Sequence, residues 1–260
     1  MPYHIPTTFQ RSQDVSRHVR TRVRERYALL PLDGYPASVL PNWKNTEARI
    51  LASPALGAEF VQYLLFVDPA GGTERKADGE IETFFFLLSG EASLTIDGDK
   101  HRLAEGGFAL VPHAADFRFE ASERSTVIAL RKRFEPAAGL ANPEPIVGNE
   151  ADVAANVWLD IEGSRLQTLI PDDRPEYDMH MNIFSFEPGY SLPVVETHVM
   201  EHGLYFLQGK GLYYLGEEWM EVEAGDFIWM GPYVPQSFYA TGRQPAKYLY
   251  YKNVNRDIQL

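Results

Sequence analysis

The sequence predicts an all-β protein built from two successive domains of one fold. Three observations carry that expectation. Short apolar runs are cut at close intervals by turn residues, long amphipathic helices are missing, and one half of the chain repeats the other.

The strand signals run in order along the chain. "AEFVQYLLFVDP" (58–69), "ETFFFLLSGEASLTIDG" (82–98) and "GGFALVPH" (106–113) are apolar stretches broken by Gly, Pro and Asp. "MHMNIFSFEPG", "GLYFLQGKGLYYLG", "GDFIWMGPYVP" and "KYLYYKN" follow in the second half with the same texture. Runs of this length bounded by turn residues read as strands, and many of them in succession predict a sandwich or barrel. The repeat appears when "LSGEASLTIDGDKHRLAEGGFALVP" (88–112) is laid without a gap over "LQGKGLYYLGEEWMEVEAGDFIWMG" (207–231). Leu88 meets Leu207, Gly90 meets Gly209, Gly106 meets Gly225, Phe108 meets Phe227, and upstream Glu82 meets Glu201. Glycines recurring at one spacing predict turns that need positive φ or close backbone approach. The expected division is an arm with lead-in strands over 1–50, an N-terminal domain over 51–135, a Pro- and Ala-rich linker over 136–150, and a C-terminal domain over 151–260.

Composition narrows the function classes. The 260 residues carry a formal charge of −12, and no basic stripe is evident. Nucleic acid and anionic membranes are recognised through such stripes, so neither is an expected partner. The absence of cysteine removes disulfides, thiolate nucleophiles and Cys-type metal sites. Any metal must then be held by imidazole, carboxylate, amide or water. No apolar run approaches the length of a membrane span. The Arg-rich stretch 11–27 contains Asp14 and Glu25 and reads as an extended or helical arm rather than a targeting signal. The expected location is cytoplasmic.

"ETHVMEHG" (196–203) holds two of the seven histidines and two glutamates. "HVMEH" fits the inverted zinc-peptidase pattern, which needs a helix to bring both imidazoles to one face. Its flanks oppose a helix: "EPGYSLPVVET" carries two prolines, and "GLYFLQGKG" is strand-like. On a strand, alternate residues share a face, so Glu196 and His198 point together, and His202 keeps their parity across a bend. A carboxylate and two imidazoles converging inside a barrel form a coherent set of transition-metal ligands. A solvated turn remains the bland alternative, disfavoured by three potential ligands of matching parity.

These residues resemble the cupin superfamily. Its first motif is roughly G-x5-H-x-H-x3,4-E-x6-G, and its second G-x5-P-x-G-x2-H. Gly189, Glu196, His198, His202 and Gly209 follow the first; Gly225 opens the second, and its histidine position falls on Gln236. The resemblance implies two tandem cupin barrels (double-stranded β-helix, or jelly-roll), with metal ligands Glu196, His198, His202 and Gln236 in the second. This set is harder than three histidines and a glutamate and leans toward Mn²⁺. The same frame in the first copy gives Ala77, Gly79, Thr83 and Phe117, so that barrel is expected to be metal-free and structural.

"ETHVMEHG", "LGEEWMEVEAGDFIWMGPYVPQ" and "YLYYKNVNRD", with "ALLPLDG" and "LGAEFVQYLLFVDP" upstream, are similar to the (S)-ureidoglycine aminohydrolase family of bicupins. That resemblance implies a Mn²⁺-dependent hydrolase releasing ammonia from (S)-ureidoglycine to give (S)-ureidoglycolate in purine ureide breakdown. It places substrate contacts at Tyr213, Tyr248 and Lys252; Glu196 and Gln236 are expected to touch the substrate as well, and Glu196 and Lys252 are the expected catalytic pair. These residue types suit such a reaction. A lysine can pair with a carboxylate or move a proton, and tyrosine hydroxyls both donate and accept hydrogen bonds. In "KYLYYKN", Tyr248, Tyr250 and Lys252 alternate onto one face. His180 is expected to pack or face solvent, His113 to be structural, and His4, His18 and His101 have no supporting context. The expected partners are a small ureide and further copies of the chain, since strand edges and the arm invite association. The competing readings are a bicupin dioxygenase or isomerase acting on a small organic acid, and a non-catalytic ligand-binding cupin.

Overall fold

The structure, a computed structural model, describes residues 20–258. Most of the Arg-rich stretch, with His4 and His18, lies outside them. Among the described residues the helical elements are the short 3-10 turns Leu32–Gly34, Pro54–Leu56 and Glu150–Asp152. All the named strand pairs are antiparallel. The described residues form two compact units, one of Tyr35–Val153 with Asp173–Asp178, the other of 20–34, Ala154–Asp172 and 179–258.

In the N-terminal unit the sheet runs Ile146–Asn149, Gly107–Val111, Ile81–Ser89, Ser125–Arg133, Phe60–Arg75, Phe117–Ala121, Ala92–Ile96, Asp99–Leu103, with Trp43–Ala52 also on Phe60–Arg75. Its inner face is set by alternation. Phe85 and Leu87, Val127 and Ala129, and Phe117 and Phe119 meet in one apolar core. In the C-terminal unit one sheet runs Arg22–Val23, Tyr27–Leu30, Phe227–Met230, His202–Gln208, Ala246–Asn253, Met179–Phe186, Ile161–Thr168, Asn156–Trp158. A second runs Glu218–Glu223, Lys210–Leu215, Gln236–Ala240. Phe184, Phe186, Leu204, Phe206, Phe238 and Tyr248 fill its core.

The repeat is visible in the backbone. Gly90, Gly106, Gly209 and Gly225 all have positive φ, at 85°, 76°, 75° and 93°. The Gly106 amide donates to Leu87 O, and the Gly225 amide to Phe206 O, each at 2.9 Å. Asp173–Asp178, expected in the C-terminal domain, belongs to the N-terminal unit, and two longer segments also depart from the division expected from sequence. The 1–50 stretch is split at Gly34, and the 136–150 stretch supplies the strand Ile146–Asn149. The reason is edge pairing. Gly107–Val111 and Phe227–Met230 each need a neighbour for their outer amides and carbonyls. Ile146–Asn149 serves the first, and Tyr27–Leu30 the second.

Candidate active site

Three adjacent strands of the C-terminal unit build one wall of the site: Met179–Phe186, Ala246–Asn253 and His202–Gln208. Directly opposed residues share a face, so the register sorts the wall into rungs. His180, Lys252 and His202 form one rung; Asn182, Tyr250 and Leu204 the next; Phe184, Tyr248 and Phe206 the third. The facing sheet adds Tyr213 and Gln236. Gln236 is tied to Glu196 by an isolated bridge, with amide-to-carbonyl bonds of 2.8 and 2.9 Å in both directions. Residues 197–201 lie outside any helix or strand, and His202 opens a strand. The helical zinc-peptidase arrangement is therefore not formed.

A cavity of about 510 Å³ lies between these walls. Glu196, His198, His202, Tyr213, Gln236, Tyr248 and Lys252 all line it. His198 Nε2 stands 3.2 Å from His202 Nε2 and 3.0 Å from Gln236 Nε2. The Tyr213 hydroxyl donates to Gln236 Oε1 at 3.2 Å. His202 Nδ1 meets the Tyr251 carbonyl at 2.9 Å. The carbonyl can only accept, so it fixes the proton on Nδ1 and leaves the Nε2 lone pair facing the cavity, the orientation a metal-ligating histidine needs. Among the described residues no group of three His, Asp or Glu side chains stands at metal-holding distance. The structure thus brings together the two imidazoles and the amide, with Glu196 lining the same cavity.

Burial governs the protonation states. It holds His202 down at about 3, helped by the charges of His198 and Lys252 and opposed by the Tyr251 carbonyl. Burial also lowers His198, so both imidazoles are neutral and able to act as ligands. Burial raises the Glu196 carboxyl against the pull of Lys252. It lowers Lys252 against Asp172 and Glu196. Tyr213 and Tyr248 are raised, mainly by burial, and stay protonated as hydrogen-bond donors.

His180 is buried on the rung of Lys252, and burial takes it to about 4. His113, in the N-terminal unit, stacks on Phe134 at 4.2 Å. Tyr250, Trp158 and Leu166 also line the cavity and were not among the site residues expected from sequence. For Tyr250 the signal was present, since it shares the alternation of Tyr248 and Lys252. Nothing in the sequence marks Trp158, which meets Phe184 edge-on at 5.1 Å.

The fold and the site define a cupin, and the Cupin domain model matches residues 182–251, from within Met179–Phe186 to within Ala246–Asn253. The chain is 37% identical over 238 residues to the (S)-ureidoglycine aminohydrolase of Escherichia coli (strain K12), covering 90% of each chain. It is 34% identical over 250 residues to the (S)-ureidoglycine aminohydrolase of Arabidopsis thaliana, covering 94% of this chain and 81% of that one. A solved structure, protein Ylba from E. coli, superposes with a TM-score of 0.84 at 32% identity, over 96% of this chain and 100% of that one. The chain belongs to the (S)-ureidoglycine aminohydrolase family. Cupin membership and these relatives are compatible with a metal cofactor.

Proposed function

We propose that this chain releases ammonia from (S)-ureidoglycine to give (S)-ureidoglycolate, using Mn²⁺ held by Glu196, His198, His202 and Gln236. The observation that carries the reading is the convergence of two neutral imidazoles and an amide in a cavity that Glu196, Lys252 and two protonated tyrosines also line. The donor set fits a divalent ion. Its two imidazole Nε2 atoms lie 3.2 Å apart, a separation that a shared ion allows, and its carboxylate and amide oxygens favour Mn²⁺ over softer metals. When bound, the ion supplies positive charge that stabilises charge developing on the substrate.

The chain's own residues do the rest. The substrate carries a carboxylate, an amine and a ureido group on one carbon. The Lys252 ammonium pairs with the carboxylate and fixes the hand of that carbon. The Tyr213 and Tyr248 hydroxyls bind the ureido group, which needs both donors and acceptors. In the reaction the C–N bond to the amine breaks and a C–O bond from water forms. Water gives up one proton, and the leaving nitrogen takes one. Glu196, its carboxyl raised by burial, is suited to carry that proton between them. The aromatic and aliphatic lining keeps other water away.

The test is ammonia release from freshly generated (S)-ureidoglycine by manganese-loaded protein. Chelation should abolish it, and the opposite enantiomer should react more slowly. Full activity in Glu196→Ala would remove Glu196 from its role. Oxygen uptake on a small organic acid, with no ammonia released, would replace the whole reading by a dioxygenase. The same reading takes the chain as a cytoplasmic homo-oligomer, tested by light scattering and cell fractionation. Among the described residues no helix is long and apolar enough to cross a membrane.

A further inference from the structure

The N-terminal unit places an unusual pair at the register positions that serve the candidate site in the C-terminal unit. There, Glu196 is bridged to Gln236 and Lys252 is paired with His202. The repeat sets Phe117 at the place of Gln236 and Thr83 at the place of His202. In the N-terminal unit Phe117 pairs with Arg75, and Thr83 pairs with Arg131. Two guanidiniums therefore replace a carboxylate and an ammonium. The ungapped repeat had put Ala77, not Arg75, at the first of these positions.

Both arginines face the barrel interior. Arg75 shares a face with Phe117, a core residue, and Arg131 lies two residues beyond the core residue Ala129. Tyr63, opposite Ala129, shares that face and packs on the same core. Both arginines are half-buried. Among the described residues neither has a carboxylate at ion-pair distance nor a hydrogen-bond acceptor for its guanidinium, and the Nε of Arg131 is buried without a partner. Burial and the Arg131 charge both work against the Arg75 cation, and Tyr63 and Asp78 offset them in part. Asp78 is already engaged, its Oδ1 accepting from the amides of Glu80 and Ile81 at 2.9 and 2.8 Å.

Two like charges with no carboxylate at ion-pair distance among the described residues, and only partly offset by Asp78, cost free energy that an anion would return. The local charge, two cations and one carboxylate, leaves room for one negative charge. A guanidinium presents a flat fork that matches a planar carboxylate. We propose that the mouth of the N-terminal barrel is a binding site for a small monocarboxylate, gripped between Arg75 and Arg131 with the Tyr63 and Thr83 hydroxyls beside it. This barrel has exchanged a metal site for an anion site on the same frame. The proposal does not depend on the ureidoglycine reading.

The test uses the manganese-loaded full chain with glycolate as the probe, followed by calorimetry, in a Lys252→Gln background that removes the carboxylate partner of the other cavity. Glycolate binding is expected to persist there and to weaken about tenfold or more on adding Arg131→Gln or Arg75→Gln, the loss of one charge-assisted contact. Binding unchanged by both arginine substitutions overturns the proposal. Inorganic phosphate binding more tightly than glycolate overturns the assigned ligand class. A crystal of the unsubstituted chain soaked in glycolate needs no variant to fold. A carboxylate between the two guanidiniums supports the site, and occupancy confined to the C-terminal cavity sinks it.

Discussion

Replacing Lys252 by methionine should make the protein less active and more stable at once. Lys252 sits among Tyr250, Tyr248 and His202 on an inward face, and its ammonium has no carboxylate at ion-pair distance among the described residues. Asp172 and Glu196 act on it from farther away, and burial outweighs them, so its charge is held at a cost. Methionine keeps the length and packing and drops the charge. Removing a poorly compensated charge should raise the melting temperature by a few degrees, since ~1 kcal/mol moves a domain of this size by about 2–4 °C. The same substitution removes a charge-assisted contact with the substrate carboxylate, worth about 1.5–3 kcal/mol. That converts to a loss of roughly 10- to 150-fold in kcat/KM. The assay is initial-rate ammonia release over a range of ureidoglycine concentrations, paired with calorimetric melting. A variant with kcat/KM within twofold of the parent would refute the carboxylate pairing. One that is both less active and less stable would refute the idea that the site holds this charge against the fold.

Tyr213→Phe deletes the hydroxyl that holds Gln236 Oε1; loss of such a supporting bond should weaken manganese binding about 10-fold, read by metal content after equilibrium dialysis. Gly209→Ala places a Cβ 2.5 Å from the Pro245 carbonyl oxygen at φ 75°, and should cost about 1–3 kcal/mol in denaturant unfolding. Gly90→Ala, with Arg124 O at 2.6 Å, should behave alike if the two turns are equivalent. Glu82 is raised well above the usual carboxylate range by burial and by Asp178, with Lys132 opposing. A raised folded value means that its stabilising contribution is present below the unfolded value and lost as pH rises through the folded one. Glu82→Gln should therefore flatten the fall in stability that sets in as pH rises above the ordinary carboxylate range, and an unchanged pH–stability curve would contradict the assignment.

Much of this was legible because strands write their faces into sequence with a period of two. Tyr248, Tyr250 and Lys252 could be assigned to one face from "KYLYYKN"; the alternation expected for Glu196 and His198 is not formed, since 197–201 lie outside any strand, and Glu196 reaches the cavity through its bridge to Gln236. The recurring glycines predicted positive φ, and all four have it. Pairing partners were not legible. Nothing local in "YALL" says that its neighbour is Phe227–Met230, far along the chain. Likewise Lys132 and Glu82 look like solvated surface charges until pairing sets them opposite each other, with Asp178 joining the buried cluster. The Arg75 position was missed for a specific reason. The connection from Arg75 to Thr83 is longer than that from Glu196 to His202, so an ungapped alignment slips at that point.

The charge inventory of the C-terminal cavity leads to one more expectation. Among the described residues lining it, Glu196 is the one acid and Lys252 the one Lys or Arg. A divalent ion added beside them leaves the cavity with net positive charge, and Lys252 opposes the ion as it opposes protonation of His202 and His198. A carboxylate ligand cancels that opposition. Metal and carboxylate should therefore bind cooperatively, each tightening the other by the same factor, as linkage requires. Screening of a contact at this depth leaves about 1–3 kcal/mol of coupling, or roughly 5- to 150-fold. Manganese titrations with and without saturating (S)-ureidoglycolate measure it. Lys252→Met should bind manganese more tightly in the absence of ligand and lose most of the coupling. Equal coupling in the parent and in Lys252→Met would mean that the lysine does not mediate between the two, and that its charge serves some other end.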